Sequence, residues 1–276
     1  MYKDPTLQLS RLAHFRVDLL KIGVLCRKNI DLYVKQGPVV IFGILFPFFL
    51  MIAWVIGRNL PSIQLFTGVV SMTSFFTATA ISPVVLPWET REKTLERQIA
   101  SSLTLHQILA GIIFASCLYS ITISYSICLI FIGFLSLPVS IITLVVMFGV
   151  LFIMALLGSI LGVLISAPPT DMVSNINMIA NLVKFPLLFI SGIFIPLSTL
   201  SPVGIVLASC SPVTFLVDAL GWCVGAQAFY SIGLDFIVMC TWMVGLYIIT
   251  YLIHEKTMVH RFALGQETRH ISIKNK

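Results

Sequence analysis

The stretch VSIITLVVMFGVLFIMALLGSILGVLIS, residues Val139–Ser166, carries no charged residue over 28 positions. An apolar helix crossing the roughly 30 Å hydrocarbon core of a bilayer needs about 20 such residues at 1.5 Å rise each. This segment has them to spare. A buried strand of this length is excluded on size, because strands run about 5–6 residues. The segment therefore predicts a membrane-spanning helix, and the rest of the chain conforms to it.

Working outward, five more apolar runs qualify: Val39–Gly57, Ile63–Leu86, Ile108–Leu135, Ile176–Ile195 and Ile232–Ile253. The 276 residues are 58% hydrophobic and only 10% charged, with mean hydropathy +1.02. A soluble domain carries roughly a quarter charged residues. The expected fold is thus all-α and membrane-integral. Its layout is a cytoplasmic N-terminal segment (1–38), a six-helix transmembrane domain (39–254) and a basic cytoplasmic tail (255–276). Prolines frame most spans, while Pro47, Pro83 and Pro186 fall inside them and predict kinks. No cleavable signal peptide is expected, since the first 37 residues are polar and the first apolar run lacks a small-residue cleavage site.

Orientation follows from the basic residues. Of 17 Lys and Arg, 15 fall in the N-terminal segment, the second loop and the tail; Arg58 alone falls in the other loops, and Lys184 sits within a span. Both termini are therefore expected inside the cell membrane. The same patterning argues against nucleic acid, because the net charge of +6 is spread over short segments between apolar runs. The 35-residue segment Pro196–Tyr230 is apolar, is broken by Pro202 and Pro212, and carries only Asp218 as a charge. A seventh span there would put the basic tail outside, so a pair of re-entrant half-helices is expected.

Several polar features invite a functional reading. In the N-terminal segment Leu12, Phe15, Leu19, Ile22, Cys26 and Ile30 form one helical stripe, with Lys21 and Lys28 pointing away from it. This predicts an amphipathic helix lying at the membrane surface. The second loop, WETREKTLERQIASSLTLHQILAGI (Trp88–Ile112), alternates Glu89, Glu92 and Glu96 with Arg91, Lys93 and Arg97. A short charged helix with Leu95 and Ile99 as its apolar edge is expected, with Glu89 and Lys93 as a favourable i,i+4 pair. Within the spans, Lys184 should face protein or water rather than lipid. It serves either as a substrate or gating contact or as a hydrogen-bond donor to a carbonyl or to Asn181. Thr73, Ser74, Thr77 and Thr79 read as interhelical glue. Asp235 is expected in water at a span edge, and the five histidines are expected to be solvated. Cys210 and Cys223 leave both a disulfide and free thiols open.

Three stretches resemble the permease subunits of type-2 ABC exporters, which serve drug, lipooligosaccharide and polysaccharide export. WETREKTLERQIASSL (Trp88–Leu103) is similar to that family's Glu-Arg-Glu-x-Gly-Thr-Leu-Glu-like run, with Lys93 where glycine is common. ISGIFIPLSTLSP (Ile190–Pro202) is similar to its Ser-Gly-x-Phe-x-Pro stretch. CSPVTFLVDALGW (Cys210–Trp222) resembles its Asn-Pro-(Leu/Val)-Thr-Tyr-x-Val-Asp-Ala-Leu-Arg, with Ser211, Phe215 and Gly221 replacing Asn, Tyr and Arg. The exchange at Gly221 weakens any charge-pair role for Asp218. The resemblance implies a permease acting as a homodimer or heterodimer, with membrane lipid around it. It also implies a coupling helix at Glu89, Arg91, Glu92, Thr94, Leu95 and Glu96 that binds a separate cytoplasmic ATPase. Lys184, Asn181 and Asp218 remain the pathway or gating candidates.

The chain has no GxxxxGK[ST], HExxH or GxSxG, so no phosphate loop, zinc-protease helix or nucleophile elbow of these types is expected. ATP and Mg are expected on the partner, with no cofactor or metal on this chain. Two other classes compete. A membrane-embedded lipid-modifying enzyme would need converging His, Asp or Glu. An ion-coupled carrier would need more intramembrane carboxylates and repeat symmetry.

Overall fold

The computed structural model describes the backbone of residues 5–101 and 103–274, and the side chains of residues 16–37, 39–101 and 103–258. Among the described residues there are only helices and turns, as the apolar pattern predicts. The helices are α1 (Pro5–Tyr33), α2 (Gly37–Val40), a π-turn (Ile41–Leu45), α3 (Phe46–Val55), α4 (Ser62–Ala78), α5 (Ser82–Arg91) and α6 (Thr94–Ala100). They continue as α7 (Leu105–Phe134), α8 (Ile141–Ile165), α9 (Val173–Phe189), α10 (Pro202–Ser209), α11 (Pro212–Cys223) and α12 (Ile232–Lys274).

Among the described residues, four helical segments are long and apolar enough to cross a membrane, Ser62–Arg91, Leu105–Phe134, Ile141–Ile165 and Ile232–Met258, and the α10–α11 pair makes a fifth if taken as one span. Ile41–Val55 and Val173–Phe189 are apolar but shorter. The α10–α11 pair is bent by 101°, as Pro212 at the start of α11 dictates. Cys210 at the bend and Cys223 at the end of α11 are free thiols, the first exposed and the second buried. The last helix does not stop where apolarity stops: its backbone runs unbroken into the basic tail as far as Lys274.

The core lies where α4, α7 and α8 meet, with α11 and α12 closing one side. Small residues let the backbones approach. A Cβ on Gly158 would sit 2.6 Å from the Ala78 Cβ, and one on Gly162 would sit 2.0 Å from the Ser82 Oγ. Gly158 and Gly162 form a GxxxG step, the spacing that brings one helix face close to its neighbour.

The proline kinks arise by two routes. Before Pro47 the helix widens into the π-turn, where the Phe46 amide reaches back to the Ile41 carbonyl. Near Pro83 the helix breaks outright, α4 ending at Ala78 and α5 beginning at Ser82. A break inside an apolar bundle frees carbonyls that no water can satisfy. Neighbouring helices satisfy them here: the Ser116 hydroxyl donates to the Ala78 carbonyl at 2.7 Å, and the Lys184 ammonium donates to the Thr79 carbonyl at 2.8 Å. Ser120 and Thr77 add a hydroxyl contact at 3.0 Å. The Ser/Thr-rich second span thus ties α4 to α7.

Candidate functional site: a locked loop, a broken helix and a polar cavity

Glu89 is the best-connected side chain of the second loop. It ends α5 facing inward and is 2% exposed. Lys28 of α1 forms an ion pair with it, and the Tyr33 hydroxyl donates to it at 2.9 Å. From its own loop the Thr94 hydroxyl and the Gln98 amide donate to its other oxygen, the latter at 2.6 Å. One carboxylate thereby joins α1, α5 and α6. Burial first, then the charge of Glu89, pushes the Tyr33 phenol up from its ordinary pKa, so it remains a donor.

This arrangement revises several expectations. Glu89 and Lys93 do not pair, because the helix stops at Arg91 and Lys93 turns the chain with φ 57°. Lys28 points into the protein rather than away from it. Leu95 is 2% exposed and belongs to the core instead of forming an outer contact, and Thr94 is turned toward Glu89. The exposed face of the loop consists of Arg91, Glu92, Glu96, Arg97 and Ile99.

The left-handed turn at Lys93 also explains why glycine suits this position. An L side chain there costs about 1 kcal/mol. Lys93→Gly is expected to raise the thermal unfolding midpoint of the detergent-purified protein and Lys93→Val to lower it; equal midpoints for all three would remove the strain argument.

The N-terminal helix docks on a different face from the one its hydrophobicity suggests. Cys26 is buried and Ile22 and Ile30 are half-buried, but Leu19 is exposed; Leu12 and Phe15 lie outside the described side chains. Leu25, Asn29 and Tyr33 are buried instead. The cause is Gly111 of α7, where a Cβ would meet the Leu25 Cβ at 2.6 Å. Shape at that glycine sets the rotation of α1. Gln107 fixes the register, donating to Asp18 at 2.7 Å while forming a capping box with Thr104.

Lys184 is buried at the break in the second span, and the expected bond to a carbonyl is formed, to that of Thr79. Asn181, half-buried one turn earlier, is not its partner. Replacing the ammonium leaves a bare carbonyl in an apolar site, at a cost of about 1–3 kcal/mol. Lys184→Met is therefore expected to insert normally yet unfold at lower temperature. An unchanged midpoint would show that the bond contributes nothing.

At the Ser62 end of the bundle, Asp218 accepts from the Phe229 and Tyr230 amides at 2.8 and 2.7 Å. It caps the turn between α11 and α12 and lines a cavity of about 530 Å³. Gly221, one turn further along α11, lines the same cavity. Two solvated expectations fail. Asp235 is fully buried, since the inward stripe of α12 that carries Met239 and Leu246 begins with it. His254, on the same stripe, is also fully buried and contacts the Thr250 carbonyl at 2.8 Å. Sequence position near a span end indicated water; helix phase decided otherwise.

Among the described residues, no three His, Cys, Asp or Glu converge as a metal site. The geometry is that of a membrane-embedded helical subunit whose polar groups stitch helices together. The ABC-2 type transporter family model matches residues 1–224, and the chain belongs to that family. It is the permease component of an ABC transporter. No curated protein matches it.

Proposed function

We propose that the chain is the permease half of an ATP-driven exporter, paired with itself or a similar permease and powered by a separate cytoplasmic ATPase that holds ATP and Mg. The observation that carries the reading is the Glu89 lock, which fixes α1, α5 and α6 to one another and leaves Arg91, Glu92, Glu96 and Arg97 exposed. A rigidly anchored charged surface suits a docking element that must transmit motion.

Six crossings of the cell membrane fit best, with the two short apolar helices as the first and fifth. The 17 residues of Val173–Phe189 span about 26 Å at 1.5 Å each and the 15 of Ile41–Val55 about 23 Å, near the hydrocarbon thickness. The α10–α11 pair is then a re-entrant hairpin. Residues 1–38 and 255–276 lie in the cytoplasm, with α1 against the membrane surface, as the distribution of basic residues favours. Exposed Leu20 and Val24 on α1 are suited to that surface. The cargo is an amphiphile such as a drug, a lipid-linked molecule or a glycan conjugate, and the pathway candidates are Lys184, Asn181 and Asp218.

The test has two arms. Tagged permease purified gently from its native membrane should carry a P-loop ATPase, identified by mass spectrometry, and should hydrolyse ATP. In a cysteine-free background, cysteine at Ser62 or Ser198 should react with impermeant maleimide on intact cells, and cysteine at Lys274 should not. Labelling of the tail from outside would remove the topology; purification without any ATPase would remove the mechanism.

A further inference from the structure

We infer that the cavity beside Asp218 is a binding site for a monovalent organic cation, a protonated amine carried on an apolar body.

The cavity holds about 530 Å³, within the range of about 300–1,000 Å³ typical of small-molecule sites. Ile63, Leu197 and Val217 supply apolar wall, while Gln64, Thr67 and Gln227 supply polar groups. Asp218 is the one charged residue in the lining. It is about nine-tenths buried, and two backbone amides fix both of its oxygens. A carboxylate accepts at about four lone-pair positions, so two amides leave capacity for a further donor.

The surroundings do not neutralise this charge. Among the described residues no Lys, Arg or His pairs with Asp218; the ion pairs are Arg27–Asp31 and Lys28–Glu89. A second acidic residue, Asp235, lies in the first turn of α12. It is fully buried, and neither of its oxygens has a hydrogen-bond partner. Asp218 is thus a buried carboxylate with no cation beside it among the described residues, and a buried charge is costly until paired. An aromatic residue also lines the cavity. Phe229, whose amide holds Asp218, lines the cavity, and its ring is set edge-on against Tyr230 at 4.9 Å. Carboxylate and ring together are the usual means of holding an ammonium group.

Gly221 leaves the cavity open. A Cβ there would meet only ordinary contacts, 3.5 Å to Ala226 and 3.8 Å to Thr67. A Cβ therefore fits at this position without displacing its neighbours.

As a statement about cargo, the inference rests on the exporter reading; as a statement about binding, it does not. The test is fluorescence titration of purified permease in nanodiscs with dansylcadaverine, a protonated primary amine on an apolar dye. Its N-acetylated, uncharged analogue is the control. The amine is expected to bind saturably and at least tenfold more tightly than the analogue. Gly221→Arg, which supplies a charge and fills the space, is expected to abolish saturable binding. Asp218→Asn is expected to weaken it at least tenfold. Equal binding of amine and analogue to the wild-type protein overturns the inference, whether or not either variant folds. So does undiminished binding to a folded Gly221→Arg protein. If the amine binds as expected but the permease–ATPase complex does not move it with ATP, the exporter reading fails while the site stands.

Discussion

Glu89→Ala is expected to release α1 from the second loop while leaving the transmembrane helices inserted. The substitution removes the acceptor for Lys28, Tyr33, Thr94 and Gln98 at once. Breaking a buried ion pair by deleting one partner costs about 3–5 kcal/mol. Lys28 keeps 29% of its side chain exposed, so the low end, about 3 kcal/mol, applies here. The measurement is hydrogen exchange of residues 22–33 and 89–98 in the purified protein. Both segments should exchange faster together, by a factor of about a hundred, while residues 105–134 remain protected. Exchange rising in only one of the two segments would mean that Glu89 does not join them. Lys28→Met combined with Glu89→Leu is expected to recover part of the protection, because apolar groups of similar size on both sides leave no orphaned charge.

The need for a lock was legible in the sequence only in outline. The apolar runs located the four helices long enough to cross a membrane, because a bilayer imposes a minimum length that composition reports directly; the other two runs fall on shorter helices. The proline positions also located the interruptions near Pro47 and Pro83, while α9 runs on without a break through Pro186. Helix rotation was not legible. In α1, hydrophobic periodicity selects Leu19 as a buried position, but Gly111, 86 residues further along the chain, selects Leu25. In α12 both faces are apolar, so no periodicity shows that Asp235 and His254 lie on the inner one. The loop illustrates the same gap. Glu89, Glu92 and Glu96 look alike in sequence, but the first lies on the inward face of α5 while the second and third, at its end and beyond the turn at Lys93, lie in solvent. One signal was present but unread: Gly158 and Gly162 stand four apart in a charge-free helix, the pattern that marks a close helix crossing.

The division of the loop into a buried and an exposed acid determines which substitutions separate folding from coupling. Leu95→Asp places a carboxylate in the core, so its expected defect is in stability and carries no information about a partner. Glu92→Lys changes only an exposed group. If the ATPase docks there, a reversed charge opposite a matched partner costs about 2–5 kcal/mol of association, about thirty-fold to several thousand-fold in affinity. Glu92→Lys with Glu96→Lys should therefore leave expression, unfolding temperature and hydrogen exchange of the permease unchanged. In a reconstituted permease–ATPase complex it should abolish substrate-stimulated ATP hydrolysis and export. A compensating acidic substitution on the ATPase surface should restore part of both, which a merely structural defect in the permease could not do. Full stimulation by the doubly reversed protein would show that Arg91, Glu92, Glu96 and Arg97 are a solvated surface with no partner, and the docking role would have to move to another cytoplasmic segment.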